Sequence, residues 1–150
     1  MAPKRVKAGM LVETDFLFGL SVKDPLHPHV IKLLERSAKG EFTLIISAVS
    51  PLEVALTLVS KGVSLGRAIQ VLKLMEEALA RYEAWEYGSL SLGVVTLSLG
   101  LRLKHRLLTL FDSIHLATAK NLDIPLVTSD GVLLKVARLE GVEAYDLWGF

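Results

Sequence analysis

The sequence predicts an α/β fold, a three-layer α/β/α sandwich with helices on both faces of a largely parallel central sheet. Three observations lead there. Short apolar or β-branched runs alternate along the whole chain with longer segments of helical period, the pattern of strand–helix–strand crossovers. The chain has 150 residues, 51% of them hydrophobic and 22% charged, which suits one globular domain with a sizeable core. No internal repeat or low-complexity linker divides it, so residues 1–150 read as a single domain.

The elements follow in order. Gly9-Met10-Leu11-Val12 reads as a buried strand that runs into acids at Glu13 and Asp15. If the backbone stays extended there, the two carboxylates project from the same side. If the strand ends between them, they flank the turn into a helix. Asp24-Pro25-Leu26-His27-Pro28-His29 reads as a turn, with its histidines as loop residues rather than metal ligands. Residues 30–38 read as an amphipathic helix with Val30, Leu33, Leu34 and Ala38 on one face, and residues 42–47 as the second strand. Pro51 stands near the start of the next helix, with Glu53 in its first turn. A longer helix capped by Ser64 is expected to run to about Trp85, on the 3.6-residue period of Leu65, Ala68, Ile69, Leu72 and Met75.

Residues 90–103 read as a further helix closed by the basic cluster Arg102, Lys104 and Arg106. Asp112 then heads an alanine-rich apolar helix that ends near Asp123. Residues 124–131 read as a strand ending in Thr128, Ser129 and Asp130, residues 132–138 as a short helix and residues 141–147 as a last strand.

Composition excludes several classes. A net charge of +1 is not that of a strongly basic nucleic-acid binder, although it leaves room for a local basic patch. The absence of cysteine excludes disulfides and thiolate metal sites. Residues 1–7 are basic but no long apolar stretch follows, so no signal peptide is expected. The longest apolar run, residues 90–101, is too short to cross a bilayer. A cytoplasmic protein without a membrane segment is therefore expected. The apolar excess, a mean hydropathy of +0.46, points to an oligomeric interface beyond the core.

The acids carry the chemistry. Glu13 and Asp15, Glu53, Asp112 and Asp130 lie at strand ends or helix starts. Singly, each has an ordinary explanation as a solvated strand end or a partner of the helix dipole. Together they occupy positions that an α/β sheet gathers on one edge. Carboxylates meeting at one point cannot all ionise without a cation between them, and an oxygen donor set without cysteine selects Mg²⁺ or Mn²⁺. Such an ion would hold a phosphodiester oxygen and activate water for in-line attack. Thr14, Thr128 and Ser129 are short donors beside these acids, suited to orienting carboxylates or water. Arg102, Lys104 and Arg106 are the best candidates for contact with a phosphate backbone, or else a solvated helix end paired with its dipole.

In this order and spacing, Glu13-Thr14-Asp15-Phe16-Leu17, Pro51-Leu52-Glu53-Val54, the segment from Phe111 through Asp112 to Ala119, and Val127-Thr128-Ser129-Asp130-Gly131 resemble the motifs of the PIN-domain ribonucleases, in particular the VapC-like toxins and their archaeal relatives. The resemblance covers about residues 9–147. It implies a parallel sheet of about five strands between helices and Mg²⁺- or Mn²⁺-dependent endoribonuclease activity. It also implies a homodimer or higher assembly, and a small antitoxin protein as the partner that holds a toxin inactive. The chain departs from the pattern at Glu13, where the family usually has Asp. Either Glu13 reaches the metal with its longer side chain or Asp15 takes the role, and either outcome could weaken activity. A PIN-like module that binds RNA or protein with little or no catalysis is therefore the alternative. A phosphatase of the haloacid-dehalogenase type, which needs a nucleophilic Asp two residues before a second Asp, is disfavoured by the same Glu13.

Overall fold

A computed structural model describes residues 8–150, so the basic stretch 1–7 lies outside the described residues. The elements are β1 (Gly9–Val12), α1 (Thr14–Phe18), α2 (His27–Ala38), β2 (Thr43–Ile46), α3 (Ser50–Ser60), α4 (Leu65–Leu79), β3 (Trp85–Tyr87), α5 (Leu92–Lys104), α6 (Leu110–Leu122), β4 (Leu126–Thr128), α7 (Gly131–Leu139) and β5 (Ala144–Asp146), closed by a 3₁₀ turn at Leu147–Gly149. The five strands form one parallel sheet in the order β3-β2-β1-β4-β5.

Strand alternation divides the core in two. Leu11 and Leu126 face the layer built by α5, α6 and α7, whereas Val12, Leu44, Ile46 and Val127 face α1, α2, α3 and α4. All six are fully buried, as expected of central strands covered on both sides. The chain leaves β1 to build β2 and β3 on one side, then crosses to build β4 and β5 on the other. That reversal lies between β1 and β4, and parallel sheets open a crevice at such a point, beyond the strands' carboxyl ends. Glu13 and Ser129 directly follow these two strands.

The structure corrects two expectations and decides an alternative left open by the sequence. The segment expected to be one helix to Trp85 ends at Leu79 and is followed by the edge strand β3. The indole of Trp85 ends the helix, its Nε1 donating to the carbonyls of Leu79 (3.0 Å) and Tyr82 (2.9 Å). The proline segment at residues 24–29 is a turn only at its start. Pro28 lies in the first turn of α2, where its missing N–H is not needed. Finally, the chain after Val12 does not stay extended. Glu13 caps the short helix α1, its side chain accepting from the Asp15 N–H.

An ion-pair hub fastens the α5–α6–α7 layer at its far end. Glu140, just past α7, accepts from His105 Nε2 (2.6 Å), Lys104 Nζ (3.0 Å) and Lys120 Nζ (3.0 Å). The donor from His105 first, then those from Lys120 and Lys104, push its carboxyl down to about 2. A depressed carboxyl stabilises the fold above the unfolded value near 4.5 and loses that contribution as pH falls towards 2. Glu140→Gln should therefore lower stability at pH 7 by about 1 kcal/mol, the lysines being solvent-screened. The gap to wild type should close as the pH of a thermal-melting series approaches 2.

Candidate metal centre

The site is built from the ends of three elements and the starts of four. Val12 is the last residue of β1, and the chain turns there into α1 through Glu13, which is only 6% exposed. Its Oε1 accepts from Thr128 Oγ1 at 3.2 Å, across the β1–β4 crevice, and its Oε2 lies 3.5 Å from His115 Nε2. Burial, the adjoining Asp15 carboxylate and the charge of Glu53 raise the Glu13 carboxyl well above the usual carboxylate range.

Asp15, in the first turn of α1, points its Oδ2 at Ser129 and accepts from both the backbone N–H and the hydroxyl, each at 2.6 Å. Its Oδ1 is buried without a hydrogen-bond partner in the described structure. Glu53 lies in the first turn of α3, and its Oε1 accepts from Thr14 Oγ1 at 2.5 Å and from His115 Nε2 at 2.8 Å. Burial works to raise the Glu53 carboxyl, but the hydrogen bonds from His115 and Thr14 prevail and hold it below its ordinary value.

Asp112 is in the first turn of α6, where Thr109 caps the helix by accepting from the Asp112 backbone N–H at 3.1 Å. Burial and the neighbouring charges of Asp130 and Glu53 raise its carboxyl, against the Thr109 hydroxyl and His115. Asp130 is exposed at the mouth of the site and caps α7, its Oδ1 accepting from the Leu133 N–H at 3.0 Å.

The structure thus gathers Glu13, Asp15, Glu53, Asp112 and Asp130 on one edge of the sheet. Thr14, Thr128 and Ser129 contact Glu53, Glu13 and Asp15 respectively. One residue enters that was not singled out from the sequence. His115 is fully buried and lies one helical turn after Asp112, on the same face of α6. Its spacing from Asp112 and its place in a largely apolar stretch of the helix were the available signals. Ligand atoms of Glu13, Asp112 and His115 all lie within 4.8 Å of one another, a spacing that suits a shared ion.

Of the basic cluster, Lys104 is not at this mouth. Lys104 is held by Glu140 at the C-terminal end of α7, whereas Asp130 caps the other end of that nine-residue helix. Arg102 and Arg106 are exposed. The histidines expected in a loop lie in the first turn of α2 and bind backbone rather than acids, His27 Nδ1 lying 2.9 Å from the Gly19 carbonyl and His29 Nδ1 2.6 Å from that of Phe150.

A divalent ion fits this site on two counts. The Glu13 and Asp112 carboxyls are both raised when only protein surrounds them, and Asp15 Oδ1 is a buried acceptor left unmatched. Glu13, Asp112 and His115 could hold such an ion, with Asp15, Glu53 and Asp130 beside them.

Comparison with known proteins agrees with this architecture. The family model described as PIN domain matches residues 10–139. Among solved structures, VapBC2 from Rickettsia felis, bound to a DNA fragment from its promoter, superposes with a TM-score of 0.68 at 18% identity, over 92% of this chain and 98% of that one. FitAcB from Neisseria gonorrhoeae gives 0.64 at 18% identity, over 94% and 99%. VapC20 from Mycobacterium tuberculosis, a sarcin–ricin-loop-cleaving toxin, gives 0.59 at 13% identity, over 78% and 86%. At these identities the likeness is one of fold. A sequence search of curated proteins gave no significant match.

Proposed function

The chain belongs to the PIN-domain family, and from that premise we propose that it is a Mg²⁺- or Mn²⁺-dependent endoribonuclease, the cytoplasmic toxin of a toxin–antitoxin pair. One observation carries the reading: the acids at the β1–β4 crevice converge with Glu13, Asp112 and His115 at ligand spacing. Structural neighbours that are toxin–antitoxin complexes, and one that cleaves an RNA loop, support the choice of reaction and partner.

A bound divalent ion would stabilise the charge that develops on the phosphodiester and acidify an attacking water. The chain's own residues prepare for this. His115 and Thr14 hold Glu53 ionised and in one place. Ser129 fixes Asp15, and Thr128 fixes Glu13. Asp130 lies at the exposed side of the site. Of the three basic residues, Arg102 and Arg106 are the better placed to steer an RNA backbone, since Lys104 is engaged by Glu140. The test is cleavage of labelled RNA by the pure chain, present with Mn²⁺ and absent with chelator.

The second reading, a PIN-like module that binds RNA or protein without cutting, is favoured by one observation. The longer Glu13 stands where the family usually has Asp, in a setting that makes its ionisation unfavourable. RNA binding with no Mn²⁺-dependent cleavage would select that reading.

The proposal includes self-association. Leu52, Leu56 and Val59 are exposed on one face of α3, and Leu65 and Ile69 are exposed on α4, which packs against α3. Large apolar side chains grouped in this way mark contact surfaces. Light scattering should show a dimer, and Leu56→Glu should weaken the association by at least about tenfold.

A further inference from the structure

Resting on the reading that this crevice holds a divalent ion, we propose that His115 Nε2 is one of its ligands, so that the centre is mixed nitrogen–oxygen and selects Mn²⁺ over Mg²⁺. Packing alone gives no reason for an imidazole here. The stretch of α6 from Ser113 to Ala119 is buried throughout, apolar except for Ser113 and Thr118, and His115 is fully buried within it. A buried ring of this kind must have both nitrogens engaged.

Behind the ring, Ser47 Oγ lies 2.7 Å from Nδ1. Ser47 directly follows β2 and is itself fully buried, so this contact fixes the ring's orientation. In the ion-free chain the proton on Nε2 is shared with Glu53; once Nδ1–H donates to the Ser47 oxygen instead, the Nε2 lone pair faces the acids and is free for an ion. Protein groups that take the proton of one ring nitrogen in this way are what orient histidine for a metal on the other.

In front of the ring, Nε2 lies 2.8 Å from Glu53 Oε1 and within 4.8 Å of ligand atoms of Glu13 and Asp112. Neighbouring ligands on one octahedral ion, each about 2.1 Å from it, are about 3 Å apart. The observed contact therefore suits two ligands of one ion as well as it suits a hydrogen bond. Selectivity follows from the donor. Mg²⁺ prefers oxygen and gives up water reluctantly, whereas imidazole suits transition metals.

The experiment uses the full chain with each metal salt alone. Pulsed electron paramagnetic resonance of the Mn²⁺ form should show coupling to a histidine nitrogen. Calorimetric titration should show Mn²⁺ binding at least about tenfold more tightly than Mg²⁺. His115→Gln should remove the nitrogen coupling and reduce the Mn²⁺-to-Mg²⁺ affinity ratio about tenfold, chiefly through Mn²⁺. Bound Mn²⁺ without nitrogen coupling would overturn the proposal, make His115 a donor that only positions Glu53, and leave the nuclease reading standing. No Mn²⁺ binding at millimolar concentration would overturn both. The wild-type spectrum decides without the variant, so a misfolded His115→Gln protein does not obscure the outcome.

Discussion

Asp112→Asn is expected to reduce Mn²⁺-dependent RNA cleavage by at least about 100-fold. Asp112 offers one of three ligand atoms grouped within 4.8 Å, and it adjoins the charge of Asp130 at the mouth of the crevice. Asparagine keeps the shape of the side chain but removes the charge that would attract the ion and balance it against the substrate phosphate. The fold should be kept, because the Thr109 cap accepts from the backbone N–H of residue 112, which the substitution leaves in place. Circular dichroism and melting should therefore match wild type while gel-resolved cleavage of labelled RNA disappears. Equal cleavage by the two proteins would assign the activity to a contaminant.

Glu13→Gln should separate folding from ion binding. Burial, Asp15 and Glu53 raise the Glu13 carboxyl, so ionising it costs more in the folded chain than in the unfolded one. A raised carboxyl favours the fold most at and below its unfolded value near 4.5, and the contribution declines as pH rises through the folded value. Glutamine has no such dependence. Without metal at pH 8, the variant should be at least as stable as wild type. Saturating Mn²⁺ should reverse the order. At 100 times its dissociation constant the ion should stabilise wild type by about 2.7 kcal/mol, which raises the melting temperature by roughly 5–10 °C in a domain of this size. The variant should gain less than about a third of that. An equal gain in both proteins would mean that Glu13 is not a ligand and that Asp15 has taken its place.

Much of the architecture was legible because central strands such as β1 and β2 are apolar on both faces and separated by helical periods. Two elements were not. β3 is a three-residue edge strand preceded by Arg81-Tyr82-Glu83-Ala84, which contains no glycine or proline to mark where α4 stops. What stops it is the contact of the Trp85 indole with the carbonyls of Leu79 and Tyr82, a local side-chain-to-backbone pattern with no residue-type signature. α1 is five residues long, too short to show a period.

The acids stood out because a carboxylate at a strand end or a helix start has a position that topology can gather. The choice between Glu13 and Asp15 was not legible, since it depends on where β1 ends. Glu13 lies inside the group of ligand atoms and Asp15 is tied to Ser129. His115 was overlooked because a lone histidine in an alanine-rich helix has no sequence signature of a partner. Its contacts come from Ser47 and Glu53, 68 and 62 residues away.

The most direct test of the central claim, that these acids meet around one divalent ion, is an anomalous difference map from a crystal of the chain soaked in Mn²⁺. The expected result is a peak among the side chains of Glu13, Asp112 and His115. A crystal with these side chains ordered, and with Mn²⁺ bound elsewhere or nowhere, would contradict it.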